Sequence, residues 1–249
     1  MLTFLIPTAK EMAPTGPNYP QDLSKKSYAI VGQLANLSIQ ELATTYKITF
    51  DLAQKEASRL KELESGAALN YPALYLFNGL MYRNIKRDLS TDEIDYIRQH
   101  ICITSSLYGI IPAFHPIAPH RLDFNTKIKI NGQSLKAYWR LDYEKFATES
   151  DTIISLLSSE FEQVFSTETR HTFLSLKFME EKNGHLKVHS TISKKARGKF
   201  LSAAIENKSE TLEDLKKLTF DGFAYQKNFS DNQRELVFIK HNNTPASDF

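Results

Sequence analysis

Three pairs of strand-like runs each close on a short polar turn, and this pattern restricts the chain more than any other feature. Lys127-Ile-Lys-Ile130 alternates and meets Asn131-Gly132, a dipeptide suited to the left-handed backbone of a two-residue hairpin. Residues 172–179 meet 185–192 across Glu181-Lys-Asn-Gly184, and 220–229 meet 234–240 across Ser230-Asp-Asn-Gln233. Helical spacing over 135–147, 195–207 and 212–218 is interleaved with these runs. Strands and helices do not alternate in a regular rhythm. The pattern therefore predicts an α+β fold with antiparallel hairpins rather than a doubly wound parallel sheet. No repeat or long linker divides the chain, so a single mixed domain over 1–240 is expected, followed by a polar, flexible tail over 241–249.

Upstream, the apolar run from Leu2 to Ile6 ends at Pro7, which suits a buried strand feeding a loop that carries Lys10. Pro14, Gly16, Pro17 and Pro20 make the next stretch loop. Over 24–63 the apolar spacing is helical in three segments broken near Asn36 and Tyr46. Ser90-Thr-Asp-Glu93 has capping-box spacing and opens a helix to about His100, before a strand over 101–104.

Lys and Arg number 31 against 29 Asp and Glu, a formal charge of +2 that excludes a strongly basic tail and an acidic disordered chain. At 41% hydrophobic and 11% aromatic, the chain can bury a large core. Cys102 is alone and cannot form an intrachain disulfide, which fits a reducing compartment. The N-terminus has no positive leader before its apolar run, and the most apolar later stretch, 107–118, is interrupted by Pro112, His115 and Pro116. A soluble, cytoplasmic protein with no membrane partner is expected.

The strongest chemical signal is the run from Lys182 to Lys199, with Lys182, Lys187, Lys194, Lys195, Arg197 and Lys199 and no acidic residue. A solvated face is the simplest account of such a run. A helix starting near Ser193, however, places Lys194, Lys195 and Arg197 in its first turn, where cations oppose the helix dipole unless an anion sits there. Phe200, Leu201, Ala204 and Ile205 then set its buried face, while Lys195, Lys199, Ser202 and Glu206 meet water. Gly198 would let a ligand backbone approach closely. A phosphate or carboxylate site follows. The proline-rich path after Tyr108, through His120 and Arg121, is either an ordered loop or a stiff presenter of binding groups. Ser158-Ser159-Glu160 most simply caps a helix. There is no HExxH, CxxC, GxSxG, P-loop or GxGxxG, so neither a metal nor a cofactor is called for.

These residues, taken in order, resemble the bacterial peroxide-stress YaaA family. The resemblance rests on Ala9-Lys10, Leu107-Tyr-Gly109, Pro119-His-Arg-Leu122, Tyr138-Trp139, Ser158-Ser-Glu160, Glu181-Lys-Asn-Gly184, Lys194-Lys-Ala-Arg-Gly198, Gly222-Phe-Ala-Tyr225 and Glu235-Leu-Val-Phe238. It runs essentially end to end. It implies a mixed domain around a positively charged cleft, double-stranded DNA binding, and a cytoplasmic role in limiting iron-dependent peroxide damage. It also implies a helix-hairpin-helix element, whose counterpart over 39–60 is degenerate because Lys47 and Thr49 stand where glycines would offer backbone amides to phosphate.

The chain departs from the family pattern at Asn78-Gly79-Leu80 (family Lys-Gly-Asp), Pro112-Ala113 (Arg-Pro), His115 (Asp) and Arg140-Leu141 (Gly-Asp). Lost carboxylates argue against chemistry through those positions. The leading reading is a sequence-independent DNA-binding protein of the peroxide-stress response, with Lys10, Lys47, Arg121, Lys194, Lys195, Arg197 and Gly198 facing double-stranded DNA or another phosphate-bearing ligand. The rival is an enzyme acting on a nucleotide or nucleic acid in the same cleft. In it Lys10, Tyr108, Arg121, Ser158, Glu160 and Arg197 converge and Glu160 serves as general base. A third reading makes these residues a buried polar network.

Overall fold

The computed structural model describes residues 1–182, 185–229 and 234–241, and of Lys182 only the backbone. The turn residues 183–184 and 230–233 and the tail from 242, which carry three of the expectations above, lie outside the described residues.

Strand β1 (Leu2–Pro7) is followed by a helical hairpin stack of α1 (Lys25–Ala35), α2 (Ile39–Tyr46) and α3 (Phe50–Ser65). Each helix starts at a hydroxyl side chain, Ser24, Ser38 or Thr49, that accepts an orphan amide of the first turn. Short β2 (Tyr71–Pro72) and α4 (Ala73–Leu76) lead through a single 3₁₀ turn, Tyr82–Asn84, to α5 (Thr91–His100). The Ser90–Glu93 capping box forms as the spacing requires. Strands β3 (Ile101–Ser105), β4 (Gly109–Pro112) and β5 (Pro116–Ile117) come next. The pair β6 (Lys129–Ile130) and β7 (Gln133–Ser134) follows, with Asn131 and Gly132 both at positive φ between them.

The second half contains α6 (Leu135–Thr148), β8 (Thr152–Ser155), and the single-turn helices α7 (Ser159–Glu162) and α8 (Thr167–Arg170). Strands β9 (Leu174–Lys182) and β10 (His185–Lys187) precede α9 (Ser190–Glu206) and α10 (Leu212–Lys217). The described chain closes with β11 (Thr219–Phe220), β12 (Phe223–Tyr225) and β13 (Glu235–Lys240).

One mixed sheet organises the molecule, in the order β11-β12-β13-β9-β8-β1-β3-β4, with β10 paired to β9. Its five middle strands, β13, β9, β8, β1 and β3, are all parallel. This corrects the expectation of a sheet built from hairpins. β9 does pair with β10 and β12 with β13, but β9 also lies parallel to β8 and to β13. Antiparallel pairing is confined to the edges and to β10. Of the middle strands, β1, β3, β8 and β13 are almost wholly buried, with Phe4, Leu5, Ile6, Ile103, Ile154 and Phe238 in the core, as strands covered on both faces must be, whereas β9 buries Leu174 and Phe178 but exposes Lys177.

The chain leaves β1 toward β3 on one side of the sheet and later returns to β8 on the other. The connections that follow β1 and β8 therefore lead to opposite sides of the sheet, to β3 and to β9, and such a switch in strand order leaves a crevice where ligands of open α/β sheets bind.

Candidate functional site

That crevice is occupied by a two-lobed cleft. The larger lobe, of about 380 Å³, is walled by the segment after β1 (Pro7 to Glu11) and by Ser158, Glu160 and Phe161 after β8. Gly79 to Tyr82, Leu122 and Asp123, and Thr191, Lys194 and Arg197 of α9 complete it. The smaller lobe, of about 250 Å³, adds Thr45, Tyr46, Lys47, Arg121, Asn125 and Thr126. Lys10, Leu122, Asp123 and Glu160 line both and form the junction.

Two glycines set the walls. A Cβ on Gly79 would stand 2.6 Å from Ala9 Cβ, so the loop bearing Lys10 packs directly on the 79–82 segment. A Cβ on Gly198 would stand 2.3 Å from the Met81 carbonyl oxygen and 2.8 Å from Asn84 Cβ. Four residues on, the buried Ser202 hydroxyl donates to the Asn84 carbonyl at 3.1 Å and accepts the Lys86 amide at 2.8 Å. These contacts fix α9, and with it Arg197 and Lys194, against the opposite wall. Gly198 is thus a packing glycine between two stretches of backbone, not the ligand-approach point expected from the sequence. Ser202 is likewise buried where a water-facing side chain was expected.

The helix carrying the basic run begins at Ser190, several residues before the expected start. Lys194 and Arg197 are therefore past the first turn, and the dipole argument for an anion there fails. Geometry replaces it. Arg197 is half-buried and lines the larger lobe, yet makes no hydrogen bond or ion pair among the described residues. Burial lowers its guanidinium below the ordinary arginine value, with the charge of Glu162 partly offsetting this. Glu162 itself accepts a hydrogen bond from the Ser155 hydroxyl at 2.6 Å. A cation held partly out of water without a counter-ion is costly unless an anion arrives.

The other expected residues divide. Lys10 reaches the cleft and pairs with Asp123 Oδ2 at 3.0 Å. Lys47 and Arg121 line the smaller lobe, and neither makes an ion pair within the described residues. Exposed Lys194 lines the larger lobe, whereas exposed Lys195 lines neither lobe. Ser158 stands at the N-cap position of α7 without making the side-chain cap bond, and lines the larger lobe. Tyr108 does not converge with them. It is buried, its hydroxyl accepts the Ala118 amide at 2.9 Å, and its ring lies 5.3 Å from that of His120. His120 is equally internal, its Nδ1 bonded to the Ala118 carbonyl at 2.8 Å, and burial pushes its imidazole down to about 4. Of the six residues that the third reading makes a buried polar network, Tyr108 alone is buried, and its neighbour there is His120, which that reading did not include.

The cleft is not uniformly basic. Five cations (Lys10, Lys47, Arg121, Lys194, Arg197) share it with three carboxylates (Glu11, Asp123, Glu160). Glu11 is neutralised by Arg83 at 2.6 Å. Asp123, which the sequence did not single out, accepts the Asn125 amide at 3.0 Å besides holding Lys10. Its signal was only its position, two residues after Arg121. Glu160 accepts the Phe124 amide at 3.0 Å. Burial raises its carboxyl above the ordinary glutamate value, the negative charge of Asp123 adds to this, and Lys10 partly opposes it.

A carboxyl raised in the folded state binds its proton more tightly there. Its stabilising contribution is complete below the unfolded value, near pH 4.3, and is lost as pH rises through the folded value. Glu160→Gln is therefore expected to raise stability at pH 7 and to lose that advantage below about pH 4. Denaturant melts of both proteins at the two pH values check this; an equal gain at both would refer the effect to packing.

Among the departures from the family pattern, only Leu80 and its neighbour Gly79 line the cleft. Asn78 donates its amide to the Glu11 carbonyl, and Arg140 donates to the Gln163 carbonyl at 2.9 Å. Leu141 is 80% exposed. Pro112 is exposed in β4, and His115 is half-buried with its imidazole lowered by burial. The cleft thus keeps carboxylates despite the losses at those positions. Among the described residues no group of three His, Cys, Asp or Glu is placed to hold a metal, and no helix is long and apolar enough to cross a membrane.

A family model described as "Peroxide stress protein YaaA" matches residues 2–229. The chain belongs to the YaaA family. It is 57% identical over 241 residues to a UPF0246 protein of Streptococcus equi subsp. zooepidemicus, covering 96% of this chain and 99% of the relative. UPF0246 proteins of Streptococcus uberis (55% over 241 residues; 96% and 99%) and Streptococcus thermophilus (54% over 242; 96% and 98%) are similarly near. The YaaA name supports a role in peroxide stress for this chain. The matched region contains every cleft residue named above.

Proposed function

We propose that the protein is a cytoplasmic DNA-binding member of the peroxide-stress response that holds nucleic-acid phosphates in this cleft without reading sequence. The observation that carries the reading is Arg197, half-buried at the lobe wall beside Lys194 and without a hydrogen-bond or ion-pair partner among the described residues. Arginine can grip a phosphate bidentately, and phosphate contacts supply affinity without base readout. The α2–α3 turn supports the same reading. Lys47 caps α2 in the left-handed conformation, at φ 53°, and Thr49 opens α3 by accepting the Leu52 amide. This is the backbone of a tight helix-to-helix turn in which an exposed lysine stands where glycine would be easier, and its charge replaces amide contacts to phosphate.

The experiment is a salt series with duplexes of unrelated sequence. Affinities should be similar, and log K should fall with log salt at about −0.9 per phosphate neutralised. Lys47→Gly should reduce the slope by roughly one contact. It should not weaken the fold, because glycine relieves a left-handed strain of about 1 kcal/mol. Binding that ignores salt, or is missing at low salt, contradicts the reading.

A second reading, an enzyme acting on a nucleotide or nucleic acid, is favoured by Glu160, a raised carboxyl lining both lobes. Glu160→Gln would then abolish turnover of a nucleotide panel while leaving binding intact.

A further inference from the structure

The shape of the cleft says more about its ligand than its charge does. A lobe of about 380 Å³ lies within the range of small-molecule pockets, roughly 300–1,000 Å³, and cannot admit a paired duplex. Its walls are of two kinds. Leu80, Leu122 and Phe161 supply apolar surface, and Lys194 and Arg197 supply charge on α9. The smaller lobe, reached past Lys10, lacks an apolar wall of comparable extent and presents Lys47, Arg121, Asn125 and Thr126. An apolar slot beside an arginine, continued by a polar channel with two more cations, none of the three in an ion pair among the described residues, matches a base, its phosphate and the next phosphate along a strand.

We infer that the cleft receives one unstacked nucleotide of a DNA strand in its larger lobe, while the neighbouring phosphate occupies the smaller lobe. The base lies against Leu80, Leu122 and Phe161, its phosphate is held by Arg197 and Lys194, and the adjoining phosphate meets Lys47 and Arg121. The inference rests on the phosphate-binding reading and names the substrate form for the same cleft. Drawing a nucleotide out of a duplex costs a few kcal/mol, and least where the nucleotide is already unpaired. The protein should therefore prefer DNA that offers an unpaired nucleotide over fully paired DNA.

The test compares three fluorescent ligands at one salt concentration: a paired duplex, the same duplex with a single bulged thymidine, and a short oligothymidylate. Bulged and single-stranded ligands should bind about tenfold or more tightly than the paired duplex. Leu80→Trp, which fills the larger lobe, should erase that preference by weakening the bulged and single-stranded ligands. Leu80→Phe, a smaller intrusion, should give an intermediate preference, and a thermal melt of each variant confirms folding. Free thymidine monophosphate, which meets one lobe only, should compete at no less than about a hundredfold higher concentration than the oligothymidylate. Equal affinity for paired and bulged DNA would overturn the inference while leaving the phosphate-binding reading standing. Absence of salt-dependent DNA binding would overturn both. Competition by the free nucleotide at the oligonucleotide's own concentration would overturn the two-lobe placement.

Discussion

Gly198→Ala is expected to destabilise the fold by about 3 kcal/mol, the upper part of the range for overpacking a closed interior. The added methyl would meet the Met81 carbonyl oxygen at 2.3 Å and Asn84 Cβ at 2.8 Å. A backbone oxygen cannot swing aside as a side-chain end can, so α9 must move bodily or unwind. The Ser202 contacts to Asn84 and Lys86 would go with it. Gly32→Ala is the internal control. It also lies in a helix, but nothing comes within 4 Å of its added Cβ, so it should gain roughly 0.5–1 kcal/mol from helix propensity alone. Urea melts should move in opposite directions for the two variants. A Gly198→Ala midpoint equal to wild type would mean that α9 is not seated against the 81–86 segment as described.

That seat explains why the sequence misled about Gly198. A glycine inside a basic run reads locally as room for a ligand, and only the distant Met81 carbonyl shows that the room is already filled. Parallel pairing was hidden for the same reason. Phe4 pairs with Ile101 and with Ile154, partners far along the chain, and no local pattern encodes that register. Features written in a few consecutive residues were legible: the Asn131-Gly132 turn, the Ser90–Glu93 capping box, and the breaks between α1, α2 and α3. The start of α9 at Ser190 was not, since Ser190 and Thr191 carry little helical signal of their own. Within the cleft, charge density pointed to Lys194 and Arg197, and the ordered motifs to Lys10, Arg121, Ser158 and Glu160. Asp123 was missed because its role comes from facing Lys10 across two loops. Tyr108 was misplaced because a motif gives an order along the chain, not a direction of the side chain.

The second large effect concerns Arg197. Under the proposed reading, truncating it would remove a charge-assisted, bidentate phosphate contact, about 2–3 kcal/mol, or roughly 30- to 150-fold in affinity. The folded protein should not suffer equally. Arg197 has no partner to orphan among the described residues, and removal of a desolvated, unpaired cation offsets the packing lost with its aliphatic stem. Stability is expected to stay within about 1 kcal/mol of wild type. Arg197→Lys keeps the charge but not the planar fork, and should lose about tenfold.

The most direct measurement is calorimetric titration of a short oligothymidylate, which needs no unpairing to reach the cleft, into wild type, Arg197→Ala and Arg197→Lys, with a thermal melt of each protein. If the cleft captures nucleic-acid phosphate through this arginine, affinity falls in the order wild type, lysine, alanine while the three melts coincide within a few degrees. Equal affinities in all three proteins, or losses that follow the melting temperatures, would contradict it.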